Sequence, residues 1–488
     1  MTDDSSPSQR SLDTPQTLRF TGLPAPADLI TPVRRLDIEC VTRPDGSTVI
    51  GWSAQTCRLE AGTASAEAPT TCVVGNVTDW LDVWAQERPD TLLLAERGPD
   101  GAWASTSYGE AARRVRSIAA QLLRLCAVTA DHQPQPLAIL SGNSVRQALL
   151  TFAALYVGIP VAPISPTYTT SGGDHARLRL VLDKLRPSLV YSETTELASA
   201  ALTSVGMAAQ RLLTAVDVDA WSAGTEPVDT AALDAAHASA RGSRVAKIMF
   251  TSGSTGSPKG VVMTHSMLTS AQATTAAVLR HMPTVPQVYL EWLPWHHVMG
   301  GNINLHRALR FGASIYLDGG RPVPAKIGET IANIREVSPT FYFNVPLGYA
   351  LLVPALERDS ELAKRFFAKL EYMTFGGASL SVDLVRRLGK LAADTVQRIV
   401  PVVSGFGATE TSGPALGTTW SMDSGGAVGL PAPGIAIKLV PLQDRFELRL
   451  AGGNLMSTYL GEPELSAAAF DEEGFYRIGD AVQWIDPA

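Results

Sequence analysis

Cysteine is scarce in this chain: four in 488 residues, at Cys40, Cys57, Cys72 and Cys126, with no paired spacing. That argues against a disulfide scaffold and a thiolate metal site, and it predicts reduced, structural thiols in a cytoplasmic protein. Long apolar runs are missing too; none reaches the roughly 18 residues that a membrane span needs. Positive charge is not in excess. The 40 basic and 47 acidic residues leave a formal charge of −7, and no basic stripe interleaves with aromatics, so nothing points to nucleic acid. The opening MTDDSSPSQRSLDTPQ is acidic and polar, unlike a signal peptide.

What is present reads as an ordinary globular protein, 45% apolar and long enough for about three folding units or two larger ones. Residues 1–18 read as a disordered leader. Residues 19–75 form an N-terminal extension, with a strand pair around the turn signal Pro44-Asp45-Gly46. From 76 to 425 a βα rhythm dominates. Its strands include Pro136 to Leu140, Val161 to Ile164, Leu189 to Tyr191, Val288 to Leu293, Ala313 to Leu317, Thr340 to Asn344, Tyr372 to Phe375 and Val400 to Ser404. Helical stretches separate them, and Ser107 with Glu110 forms a capping-box signal. Residues 216–241 read as a loop and one short helix, and Ile303 to Leu309 as an ordinary helix. Such alternation predicts an α/β fold of two stacked, mostly parallel sheets covered by helices. Past Gly425 the texture changes to short alternating strands, which read as a small antiparallel barrel-like unit over 426–488.

The densest chemical signal is MFTSGSTGSPKGVV, Met249 to Val262, in which ten of fourteen residues are Gly, Ser, Thr, Pro or Lys. Gly253, Gly256 and Gly260 permit tight turns that aim several amide hydrogens at one point. Thr251, Ser252, Ser254, Thr255 and Ser257 add hydroxyls, and Lys259 adds a positive charge. A polyphosphate fits that set; a solvent-exposed Gly/Ser loop is the plain alternative. No Gly-Lys-Ser/Thr follows four free positions after a glycine, which disfavours an ordinary P-loop NTPase.

Two weaker motifs follow. In GFGATET, Gly405 to Thr411, the glycines allow a tight turn around a flat ligand. Thr409 offers a hydroxyl, and Glu410 a carboxylate suited to a hard divalent cation. In YRIGD, Tyr476 to Asp480, a carboxylate on a glycine turn can accept two hydrogen bonds from a ribose. Most Thr-Glu and Gly-Asp pairs are only solvent-facing turns. The glycine-rich clusters at 251–260, 294–302, 376–380 and 405–410 all fall at C-terminal ends of predicted strands, where open α/β sheets bind ligands.

In this order, the three motifs resemble those of the adenylate-forming superfamily of acyl-CoA synthetases, aryl-CoA ligases and peptide-synthetase adenylation domains. The resemblance covers residues from about 75 to 488. It includes the turn Gly376-Gly377-Ala378-Ser379 and the Gly/Pro-rich segment from Ala154 to Pro163. LPWHHVMGGN (Leu293 to Asn302), the stretch Arg335 to Asp359 and AAAFDEEGFYRIGDA (Ala467 to Ala481) are most similar to feruloyl-CoA synthases and related aryl-CoA ligases.

The resemblance implies ATP, Mg²⁺ and coenzyme A. It implies a small-molecule carboxylic acid as substrate, with no nucleic-acid or membrane partner, and it leaves a homodimer open. It implies that Thr251 to Gly256 and Lys259 hold the phosphates, with Thr409 at the α-phosphate, Glu410 on the metal and Asp480 on the ribose. It places Gly377, Ala378, Ser379, Gly405, Phe406 and Gly407 around the adenine. It puts His297 beside the acyl pocket, with Asn302, Asn344, Gly377, Gly407, Gly413 and Pro414 lining that pocket. Taken alone, His297 also reads as a core histidine between Trp292 and Trp295. His296 departs from the Asn frequent in relatives.

The implied reaction is attack of a carboxylate on the α-phosphate of ATP, giving acyl-AMP and pyrophosphate, then displacement of AMP by the coenzyme A thiol. A ferulate- or cinnamate-like acid is the first expectation; benzoate, a medium-chain acid, or a nucleotide- and acyl-binding module of low activity are the alternatives. Family members continue past the ribose carboxylate into a hinge and a lysine-bearing lid. No basic residue follows Asp480 here, so the expectation is a large N-terminal portion with impaired adenylation.

Overall fold

The computed structural model describes residues 38–52, 74–128, 133–170, 175–207, 211–252, 257–278, 286–418 and 426–485. The expected leader over 1–18, Cys57, Cys72 and the loop tip Gly253-Ser254-Thr255-Gly256 lie outside them, as does the side chain of Ser252.

Among the described residues the strands form three sheets. In the nine-stranded sheet, six strands run parallel in the spatial order Val402–Phe406, Tyr372–Phe375, Phe341–Asn344, Val288–Glu291, Ser314–Leu317 and Leu92–Arg97. Short antiparallel strands cap both edges. The six-stranded sheet is parallel apart from its terminal hairpin, Val245–Ser252 with Pro258–Thr264. These strands carry near-continuous apolar runs, as strands buried on both faces require.

One helix shows how the two sheets stack. Ser144 caps Val145–Tyr156 by accepting a hydrogen bond from the Gln147 amide at 3.0 Å. Every residue of that helix except Arg146 is buried. It packs on Leu92–Arg97 of one sheet and Val161–Pro163 of the other, so it has no solvent face to make polar. Each fully buried Leu or Phe in it contributes about 1.5–3 kcal/mol of burial. Arg146 reaches out to pair with Asp219 at 2.6 Å.

The third sheet is antiparallel and joins two distant parts of the chain. The expected hairpin is there, Ile38–Thr42 with Thr48–Trp52, its turn closed by Asp45 Oδ1 on the Ser47 amide at 2.9 Å. Thr48–Trp52 then pairs with Ile435–Leu442, which continues to Arg445–Gly452 and Tyr476–Val482. Strands at 38–52 and at 435–482, which the sequence reads as parts of separate units, thus share one sheet. A strand's unpaired edge does not specify which distant strand will fill it. Lys438 and Arg449 stand opposite each other in this sheet, and the fully buried Asp471 carboxylate bridges them at 2.8 and 2.9 Å.

Local readings also needed correction. Residues 216–241 hold helical residues on both sides of a turn, Ala215–Ser222 and Thr230–Ser239. The first starts with a Thr214–Asp217 capping box, and the second is capped by Asp229 on the Ala232 amide at 3.0 Å. Trp103–Ser107 is a strand that the sequence reading passed over. The expected helix at Ile303 to Leu309 begins as a π-helix, Met299–Asn304, before Leu305–Phe311 continues as α. Glycine makes that π-turn feasible. A Cβ on Gly300 would sit 2.5 Å from the Leu293 carbonyl, and one on Gly301 would collide with the Trp295 carbonyl. Such π-turns occur often at functional sites.

Candidate active site

Because the six central strands are parallel, their C-terminal ends lie along one edge, where ligands bind in open sheets. Tyr372–Phe375 ends in Gly376-Gly377, and Val402–Phe406 in Gly407. Gly377 has φ +82°, a conformation costly for any residue with a Cβ. Gly407 lies so close to the next turn that a Cβ there would stand 2.5 Å from the Gly413 carbonyl.

These turns rim a cavity of ≈ 150 Å³. Val298, Met299 and Ile303 of the π-turn line one side. Gly405, Phe406, Gly407 and Ala408 line another, and Gly413, Pro414 and Leu416 close a third. Gly377 opens into it as well, and the walls are mostly apolar. Of the expected acyl-pocket residues, the structure brings Gly377, Gly407, Gly413 and Pro414 to one space, and Gly405 and Phe406, expected around the adenine, line the same space. Ala378 and Ser379 are exposed beside Gly377.

Asn302 and Asn344 are not on the cavity wall. Asn302 is fully buried; its side-chain carbonyl accepts from Lys247 Nζ at 3.1 Å, and its Nδ2 donates to the Ser412 carbonyl at 3.4 Å. Asn344 accepts from Trp292 Nε1 at 3.2 Å and donates to the Tyr342 hydroxyl at 3.0 Å. Both point into the body, because buried amides must satisfy their polar atoms internally. His297 is exposed two residues before the π-turn, neither in an aromatic core nor among the residues that line the cavity. Partial enclosure lowers its basicity. Burial and the adjacent His297 bring His296 down to about 4. The two imidazoles lie 4.6 Å apart, and both are neutral near neutral pH.

A polar chain runs from the rim. Thr409–Thr411 is a single 3-10 turn in which Glu410 is buried. Tyr459 donates to Glu410 Oε1 at 3.0 Å, and its hydroxyl lies 3.4 Å from that of Tyr476. Burial pushes the Tyr459 phenol up to about 12, and the neighbouring Glu410 charge pushes the same way, so it stays a donor. Lys259 Nζ stands 5.5 Å from the centre of the Tyr459 ring. The backbone closes the same corner: Leu460 N donates to the Gly260 carbonyl at 2.7 Å, and Met456 N to the Glu410 carbonyl at 2.7 Å. Thr251 pairs across the hairpin with Lys259, and Asp480 lies exposed on the strand that carries Tyr476. Lys259 and Glu410, far apart in sequence, thus meet at Tyr459, and Asp480 follows four residues after Tyr476 on its strand.

The donor set suits a magnesium ion bound to a polyphosphate. Among the described residues no group of three or more His, Cys, Asp or Glu could hold a metal alone. One buried carboxylate leaves most of the shell to water and phosphate oxygens, which is how Mg²⁺ is commonly held. No helix among the described residues is long and apolar enough to cross a membrane.

Sequence reasoning missed three residues. Tyr459 carried no local signal. Lys247 showed only as a charge interrupting a strand. It is fully buried and donates to the Gly301 carbonyl at 2.7 Å, while burial lowers its ammonium to about 7. Arg307 showed only as one arginine in a helix, yet it lines the cavity.

Residues 81–460 match the family model described as AMP-binding enzyme. The 4-coumarate--CoA ligase-like 9 of Arabidopsis thaliana is 27% identical over 386 residues, covering 77% of this chain and 64% of the relative. A long-chain-fatty-acid--CoA ligase, FadD15 of Mycobacterium bovis, is 26% identical over 444 residues, covering 82% of this chain and 71% of the relative. The chain therefore spans just under two thirds of the plant relative's length. The fold is that of the inhibitor-bound N-terminal domain of FACL13 from Mycobacterium tuberculosis, with a TM-score of 0.66 at 20% identity, covering 84% of this chain and 96% of that one.

Proposed function

Because the chain belongs to the AMP-binding enzyme family, we propose that it activates a carboxylic acid with ATP and passes the acyl group to coenzyme A. One observation carries this reading: an apolar cavity and the buried Glu410 carboxylate meet at a single turn, with Lys259 and Glu410 both against Tyr459. An acyl group in the cavity would present its carboxylate at the Gly405–Ala408 rim, next to the place where an α-phosphate would lie. The reaction then needs little bond-making help from the protein; positioning and charge stabilisation carry it.

In this proposal Lys259 and the hydroxyls of the 251–257 loop neutralise and orient the outgoing pyrophosphate. Mg²⁺, when bound, supplies charge stabilisation, and Glu410 holds it together with phosphate oxygens. Tyr459 fixes the Glu410 rotamer. Thr409 contacts the α-phosphate, Asp480 the ribose hydroxyls, and Phe406 stacks on the adenine. His297, neutral and exposed just before the π-turn, would order the acyl group without competing for its charge. Thiolysis needs no strong base, since a thiol ionises readily and acyl-AMP is reactive.

The acid itself is proposed more broadly than ferulate. Relatives at similar identity carry names for coumarate and for long-chain fatty acids, so likeness does not favour one class. A cinnamate-type acid keeps support from LPWHHVMGGN and from the flat, glycine-rimmed wall. Pyrophosphate release with ATP and a panel of cinnamates, benzoates and fatty acids tests the reading. Release with at least one acid, dependent on Mg²⁺, supports it. Binding of AMP with no release for any acid favours the binding-module alternative.

A further inference from the structure

We infer that Arg307 sets specificity at the floor of the cavity, so that the acid taken carries a hydrogen-bond-accepting oxygen at the end away from its carboxylate. The inference rests on the ligase reading above and narrows its substrate.

Position comes first. Met299, Ile303 and Arg307 recur every four residues along one helical face, and all three line the cavity. Met299 and Ile303 are partly exposed, whereas Arg307 is 4% exposed, so the series descends from mouth to floor. The sheet gives the same depth. The rim residues follow the C-terminal ends of their strands, but the Arg307 guanidinium lies 3.7 Å from the centre of the Phe341 ring, at the first residue of its strand. Tyr372, first in the adjacent strand, also lines the cavity. Three strand residues correspond to about 10 Å below the rim.

Chemistry comes second. Among the described residues that line the cavity, Arg307 is the only charged one. Its Nη2 donates to Asn304 Oδ1 at 2.7 Å, its Nε is enclosed, and the Tyr289 hydroxyl lies against the guanidinium, which leaves a small exposed part of the residue to meet the cavity. It makes no ion pair with any described residue. The carboxylate nearest in the network, Glu291, is reached only through Asn304. Burial raises the Glu291 carboxyl to about 8, so at neutral pH it is mostly protonated and does not neutralise the guanidinium. Stacking on Phe341 and Tyr289 accounts for the arginine's packing, not for its charge. A buried cation without a counter-charge is costly, and an acceptor oxygen on the ligand would relieve that cost. A second carboxylate and a para phenol or ether oxygen share this chemistry.

The test compares cinnamate, 4-hydroxycinnamate and 4-carboxycinnamate, by pyrophosphate release, in the wild type, Arg307→Met and Arg307→Lys. The expected result is a loss of about tenfold or more in kcat/KM, mostly in KM, for at least one substituted acid in Arg307→Met, as for one charged hydrogen bond. Cinnamate should stay within about twofold. Whether the 4-hydroxy or the 4-carboxy acid loses more identifies the acceptor, and Arg307→Lys should restore only the carboxylated one. Equal losses on all three acids, or none, would overturn the assignment in favour of a packing role. If the wild type releases pyrophosphate with no acid, the ligase reading fails on its own. Calorimetric titration of the same acids into the same proteins then decides Arg307. A wild-type preference for a substituted acid that Arg307→Met abolishes supports it; equal affinities reject it.

Discussion

The Tyr459 hydroxyl donates to Glu410 Oε1 at 3.0 Å across 49 positions of sequence. A carboxylate held this way has one oxygen committed to the protein and offers the other to a cation. Glu410→Gln should therefore raise the Mg²⁺ concentration needed for half-maximal pyrophosphate release and lower its maximum. Tyr459→Phe should shift the same titration less and cost about 1.5–3 kcal/mol of stability, the usual loss for a hydrogen bond to a charged group. A magnesium titration unmoved by Glu410→Gln would remove the metal role.

Lys259 has its ammonium against the Tyr459 ring and its backbone in the hairpin that carries the glycine loop. Lys259→Ala should leave the fold intact and weaken ATP use by roughly 2–3 kcal/mol in the transition state, as for loss of one charged phosphate contact. The readout is kcat/KM for ATP at saturating acid. A change below threefold would reassign the lysine to surface packing.

Asp480 is exposed, so its removal should not disturb the core. Asp480→Ala should weaken AMP and ATP together, because both present the same ribose. Calorimetry with AMP checks this; affinity held within a factor of two makes Asp480 an ordinary strand residue.

Lys247 gives a pH signature. Its folded ammonium titrates near 7 rather than 10.5, because burial disfavours the charge. Between those values the unfolded chain binds the extra proton, so stability rises with pH across that window. Below about 7 the lysine is charged in both states and its burial penalty is complete. Urea unfolding of wild type and Lys247→Met at pH 7, 8 and 9 should show a steeper rise in the wild type. Parallel profiles would mean that the ammonium stays charged in the folded state, paired with the Gly301 carbonyl and Asn302.

Asp471 bridges two cations at buried cross-strand positions. Asp471→Ala leaves Lys438 and Arg449 facing each other with that bridge removed. It should destabilise the protein by about 3 kcal/mol or more. Chemical denaturation measures this directly, and a loss below 1 kcal/mol would show that Glu473 and Glu447 compensate.

Much of the site's frame was legible because its determinants are local. Ser107 and Ser144 stand at helix starts with their own cap acceptors. Gly377 marks a turn of positive φ directly after a strand, and parallel strands must put such turns on one edge. Hence the βα rhythm alone puts the 376–380 and 405–410 clusters on one edge. The assignments of Asn302 and Asn344 to the acyl wall did not survive. A polar residue near a pocket in sequence can satisfy itself inward, and its rotamer depends on partners such as Lys247 and Trp292 on other strands.

From its sequence alone this chain declares an α/β body, glycine turns at strand ends, and a Gly/Ser/Thr-rich loop with one lysine. Period, caps and turn chemistry are short-range properties, and a dozen residues suffice to express them. Tertiary structure alone decides which distant groups meet. It puts Tyr459 between Lys259 and Glu410, seats Lys247 beneath the Gly301 carbonyl, and joins the hairpin at 38–52 to the sheet at 435–482. It also sets Arg307 on the floor of an apolar cavity. Those contacts follow from how three sheets and their helices pack, and no local pattern along the chain contains that geometry.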